Sequence, residues 1–82
     1  MENRVALIAV IVEKADSPVA LNAILHEYNS CIIGRMGIPY RKREIGLISV
    51  AVEEPSETVN ALCGRLGKLP GVTAKAVYAK LK

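Results

Sequence analysis

The chain has 82 residues and a mass of 8.8 kDa, enough for one domain and too little for two. It is 51% hydrophobic but only 4% aromatic, with no Trp and no Phe, so it lacks the rings on which RNA-binding sheets stack bases. One His and two Cys exclude most multi-ligand metal centres and nucleophile triads. The net charge of +3 is uneven: −2 over residues 1–34, zero over 35–57 and +5 over 58–82. A mildly basic last third is ordinary for a solvated surface and is not by itself a nucleic-acid stripe.

The longest uncharged apolar run, residues 5–12, is eight residues long, far short of the roughly 20 that span a bilayer. Glu13, Lys14 and Asp16 follow it with no small-residue cleavage site, so no membrane span and no export signal are expected. Cys31 and Cys63 allow a single disulfide, and nothing argues for an oxidising compartment. A reduced, cytoplasmic protein is the expectation.

In chain order, residues 5–12 form a continuous β-branched and aliphatic run that predicts a strand apolar on both faces. Asp16 or Ser17 is placed to cap a helix and Pro18 suits its first turn. Leu21, Ile24, Leu25 and Tyr28 then recur at i, i+3, i+4 and i+7, predicting a helix over 17–29. Residues 31–38 predict a second strand, opened by Cys31 and interrupted by Gly34 and Gly37. After a polar stretch the pattern begins again: residues 47–53 match residues 7–13 at five of seven positions. Ser56 is the predicted cap of a second helix with the stripe Val59, Leu62, Cys63 and Leu66. Gly67 and the Pro70-Gly71 pair stop it, and residues 72–79 predict a last strand.

The repeated unit is strand, helix, strand, so the predicted fold class is α+β. It is a ferredoxin-like βαββαβ sandwich with an antiparallel four-stranded sheet and two helices on one face, occupying residues 1–82. That topology makes the first and third strands central, and these are the two with apolar residues on both faces. The second and fourth become edges, and these carry Arg35, Thr73 and Lys75. Helices covering one face leave the other as an open apolar patch, which isolated monomers rarely carry. A homo-oligomer, dimer or tetramer, is therefore expected.

The segment over residues 34–43 is the one stretch that packing does not account for. Gly34 and Gly37 permit close backbone approach, Arg35 offers a planar fork for carboxylate or phosphate, and Tyr40 stacks or donates. Arg35, Gly37, Tyr40 and Arg41 are the candidate ligand contacts for a small-molecule effector; a bulged edge strand running into a solvated hairpin tip explains the same residues. Arg41, Lys42 and Arg43 are followed at once by Glu44, too short a run for nucleic acid. His26 stands beside the first helix's apolar stripe without a second His and reads as a surface residue, not a metal ligand. Cys63 reads as a small core hydrophobe, and Cys31 has no base in evident reach. No catalytic constellation emerges, and an enzyme is not expected.

The residues 32–41, Ile-Ile-Gly-Arg-Met-Gly-Ile-Pro-Tyr-Arg, carry a resemblance together with the opening 4–8, the helix ending 24–28 and the later 69–72. Together they resemble the small bacterial family of iron-only hydrogenase system regulators, over essentially the whole chain. That family is similar to ACT domains and to the C-terminal effector domain of the nickel-responsive repressor. The resemblance implies an ACT-like fold and regulation, including transcription regulation, in anaerobic hydrogen metabolism. Where amino-acid-binding ACT domains usually present a Gly, this chain has the turn over residues 15–18, and where the nickel repressor uses several His it has His26 alone. Six elements use the whole chain and leave no ribbon-helix-helix or helix-turn-helix, so direct DNA binding is not expected. Regulation would run through a ligand or through a docked hydrogenase maturation or regulatory partner. The residues name no cofactor.

Overall fold

A computed structural model describes residues 2–13 and 17–80, residue 17 by its backbone only. The first aliphatic run forms β1 (Asn3–Val12), followed by α1 (Ser17–Glu27) and a short 3-10 turn (Asn29–Cys31). A hairpin of β2 (Ile32–Tyr40) and β3 (Ile45–Pro55) leads to α2 (Ser56–Gly67) and β4 (Val72–Tyr78). The strands join in the order β2-β3-β1-β4, every neighbouring pair antiparallel. This is the expected ferredoxin-like α+β sandwich, with β1 and β3 in the centre. Each helical crossover steps over one strand, which is how a duplicated unit interleaves into one sheet.

Alternation along β1 decides where the core sits. Ala6, Ile8, Val10 and Val12 are buried, and they meet Val50 and Val52 of β3, Leu21, Ile24 and Leu25 of α1, and Val59, Leu62 and Leu66 of α2. The intervening residues of β1 face away from the helices, since successive side chains of a strand point to opposite sides. The helix stripes were therefore legible at their buried positions. Tyr28 and Cys63 are half-buried and pack on the core's margin.

Three local features differ from the sequence expectation. Cys31 does not open the second strand: the N–H of Cys31 donates to the Tyr28 carbonyl at 2.9 Å, closing a 3-10 turn that reverses the chain before Ile32. Ser56 is not the cap of α2 but its first residue. Pro55 holds the capping position and no side chain bonds there, because β3 runs without a loop straight into the helix. The hairpin strands are longer than the apolar runs, since cross-strand pairing carries β2 through Pro39 and Tyr40, opposite Gly46 and Ile45. Of the two caps proposed for α1, Asp16 lies outside the described residues and Ser17 is the first residue of the helix.

Polar side chains tie the helices to each other and to the sheet. The Tyr78 hydroxyl donates to Asn60 Oδ1 at 2.8 Å, pinning α2 to β4, and the Arg4 guanidinium lies 4.4 Å from the Tyr78 ring centroid. Arg65 of α2 holds Glu27 at the end of α1, with a second contact from Nη2 to Oε1 at 3.3 Å, and sits over the Tyr28 ring. The hydrogen bond and charge of Arg65 hold the Glu27 carboxyl below its usual range, and the same bond pushes the guanidinium pKa up. Both side chains are exposed, so this pair orients the helices more than it stabilises them. Gly71, at φ 72°, makes the turn into β4 in a region that costs an L-residue about 1–2 kcal/mol, and its carbonyl accepts from the Glu13 N–H at 2.7 Å.

Candidate functional site

The Gly- and Arg-rich segment becomes the edge strand β2 and the tip of its hairpin, exposed from Ile33 to Glu44. Its composition follows from that position. Pro39 lacks an N–H and is tolerated at a sheet edge, and a register irregularity between Ile32 and Gly34 bulges the strand. Glu44 turns the hairpin with φ 55°, strained for a residue with a Cβ.

The candidate residues border two adjoining recesses near α1; Arg35 and Gly37 face the helices, whereas register puts Tyr40, opposite Ile45, in the row of Met36 and Ile38, at the rim where the strand ends. Arg35 pairs with Val50 and Gly37 with Ile48, so both share the face that α1 overlooks. They line a recess of about 220 Å³ together with Asn22 and Ile48. Tyr40 and Arg41 lie at the end of the strand and line a larger cleft of about 390 Å³. Its other walls are Val12, Pro18, Leu21, Asn22, Pro39 and the start of β3, with Glu44 at the hairpin turn. Asn22 and Ile48 line both recesses, which therefore adjoin between α1 and the hairpin. The four candidates border these two neighbouring recesses, two on each.

Gly37 leaves real space there. A Cβ built on it would meet only Ile48 Cγ1, at 3.9 Å, and a Cβ on Gly34 would meet nothing within 4 Å. Neither glycine is forced by crowding within the chain, so the open floor beside Arg35 is not a packing requirement. An apolar cleft with an amide and guanidinium groups at its rim suits a small molecule with an apolar body and an anionic group.

Asn22 was missed as a site residue. On α1 it precedes the exposed His26 by one turn and reads as solvated surface; only the placement of β2 against that side of α1 turns it into a wall. His26 itself lines a third, open groove with Asn22, Asn29 and Arg35. Among the described residues no group of three or more His, Cys, Asp or Glu is placed to hold a metal ion. Cys31 and Cys63 are free thiols, and burial pushes the Cys63 thiol pKa up. No described helix is long and apolar enough to cross a membrane.

Comparison with known proteins places this architecture. A family model described as "TM1266-like: Iron-only hydrogenase system regulator, putative" matches residues 4–76. Among solved structures, the uncharacterized protein TM1266 from Thermotoga maritima is similar at a TM-score of 0.92 and 29% identity, over 96% of this chain and 100% of that one. A formyltetrahydrofolate deformylase from Pseudomonas putida KT2440 is similar at a TM-score of 0.65 and 13% identity, over 95% of this chain but 30% of that one, a likeness of fold alone. The comparison with curated proteins found no match.

Proposed function

Because the chain belongs to the TM1266-like family of iron-only hydrogenase system regulators, we propose that it is a non-enzymatic, ACT-like regulatory module whose α1–hairpin recesses bind a small ligand. The observation that supports this reading is the placement of Arg35 and Gly37 on a polar recess with open space at Gly37, adjoining a largely apolar cleft bordered by Tyr40 and Arg41. Arg35 and Arg41 supply charge for a carboxylate or phosphate, Asn22 offers both a donor and an acceptor, and Leu21, Pro39 and Ile48 receive the apolar body. The regulatory signal is the ligand-dependent position of the hairpin against α1. The described elements are all used by the sandwich, and in this reading the module acts on transcription through a partner.

A thermal-shift panel of amino acids, nucleotides and metal ions tests this reading. A ligand at 100 times its Kd stabilises by about 2.7 kcal/mol, which for a chain this small raises the melting midpoint by 10 °C or more. Arg35→Ala removes the charge, and Gly37→Ala narrows the recess where the fold tolerates a methyl group. Each should abolish the shift while leaving the unliganded midpoint nearly unchanged. No shift with any compound, or equal shifts in both variants, would count against the recesses as a ligand site.

A second reading rests on the hairpin tip. Arg41, Lys42 and Arg43 are all exposed, and no ion pair reaches them among the described residues. They offer an acidic surface of a hydrogenase maturation or regulatory partner a place to dock. Reversing all three charges should release such a partner in a pull-down; unchanged retention would dismiss this reading.

A further inference from the structure

The sheet has a second face that no helix covers. Register places Leu7 of β1 beside Ala51 of β3 and Val77 of β4, and Ile11 beside Leu47 and Thr73. Met36 and Ile38 of β2 continue the same rows. Leu7, on a central strand, is 52% exposed, and Met36 and Val77 on the flanking edge strands are 62% and 66% exposed, so the apolar rows stay open across the whole width of the sheet.

From this geometry we infer that the open face is the contact between two copies of this chain, stacked sheet on sheet with their helices outward. Two observations select a second copy over another occupant. The first is charge. Among the described strand residues the face carries Lys75 on β4 and Glu53 on β3 as its ionised groups, one of each sign. It offers no single-signed field for a partner chosen by charge, and in a symmetric pair each sign has its opposite on the other copy. The second is relief. Ala9, Ser49 and Ala51 make the middle of the face shallow, with Lys75 at the β4 margin beside Ala9 and larger apolar side chains towards the ends. Two such faces can approach to the roughly 10 Å of packed sheets, and a two-fold axis repeats every contact twice.

The inference is independent of the ligand recesses, which lie beside α1. Sedimentation velocity at micromolar concentration should give at least twice the 8.8 kDa chain mass. Ala9 is exposed in the monomer, so Ala9→Lys leaves the core intact while placing a charge in the middle of the contact. This variant should sediment at the chain mass with an unchanged far-ultraviolet circular dichroism spectrum. The chain has no Trp, so Val77→Trp supplies a single reporter, whose emission should be blue-shifted when concentrated and move to the red on dilution. A wild-type monomer, a folded Ala9→Lys variant that keeps the oligomer mass, or Trp emission independent of concentration would each overturn the inference. An oligomer that survives Ala9→Lys would place the association elsewhere, as along the β2 edge.

Discussion

Ile8 and Ile11 lie on the same strand, three residues apart, and point to opposite sides of the sheet. Replacing each by Ala is a direct test of which face of β1 carries the fold. Ile8 is 0% exposed and Ile11 41%. Three carbons leave a buried site in Ile8→Ala, at about 0.8 kcal/mol each, or about 2.4 kcal/mol of transfer energy. The cavity left in the core cluster raises this to about 3–4 kcal/mol. For Ile11→Ala the same carbons are only partly withdrawn from water, so the loss is about 1.4 kcal/mol with no enclosed cavity. The lower strand propensity of Ala adds the same amount to both and cancels in the comparison. Two-state urea unfolding should therefore separate the variants by about 2 kcal/mol. With a slope near 1–1.5 kcal/mol/M, that is a midpoint difference of about 1–2 M. A chain of 82 residues has a total stability of about 4–12 kcal/mol, so Ile8→Ala approaches the limit of folding. Repeating the melts over a hundredfold range of protein concentration adds a second criterion. The deficit of Ile11→Ala should grow in the range where the wild type is paired, while the intrachain part of the Ile8→Ala deficit stays. Equal deficits for the two variants at concentrations where the wild type is monomeric would refute the assignment of the core to the even-numbered side of β1.

Three further outcomes follow from local geometry. Gly71→Ala forces a Cβ into the left-handed region and should cost at least 1 kcal/mol in denaturant unfolding, whereas Glu44→Gly relieves the same strain at the hairpin turn and should gain up to about 1 kcal/mol. An NMR titration of Glu27 should give a midpoint below the ordinary carboxylate range, returning to that range in Arg65→Ala. The folded carboxyl titrates below its unfolded counterpart, so its contribution to stability is complete above the unfolded pKa and is lost as pH falls through the folded one. In a Cys31→Ser background, alkylation of Cys63 should rise with pH to a midpoint above that of a free thiol, because burial disfavours the thiolate; a midpoint at or below the free value would show the half-buried position to be wrong.

The outline of this protein is unusually legible because it is written twice. Residues 7–13 and 47–53 repeat one another, and a short β-branched run that is apolar on both faces, set between turn signals, reads as a strand with a neighbour on either side. That single fact orders the sheet, since central strands have two neighbours and edges have one. The helix stripes at Leu21, Ile24 and Leu25 and at Val59, Leu62 and Leu66 were equally plain, because helical period and burial coincide there.

The candidate site was half legible. Its β2 residues stood out because Gly, Arg and Pro are costly in a strand without a reason, and an edge position supplies one. Asn22 and Ile48 carried no such signal. A polar residue on a helix's exposed side and an Ile in a strand are what any sandwich contains, and they become walls only when hairpin and helix are brought together.

By itself the sequence determined the element order, the central and edge strands and the family, since all three depend on periodicity and residue type along the chain. Only the tertiary structure decided the 3-10 turn at Cys31, the direct entry of β3 into α2, the adjoining of two recesses at Asn22 and the uncovered rows around Leu7 and Ile11. These depend on distances between segments far apart in the chain, and pairwise approach in space is not encoded in local pattern.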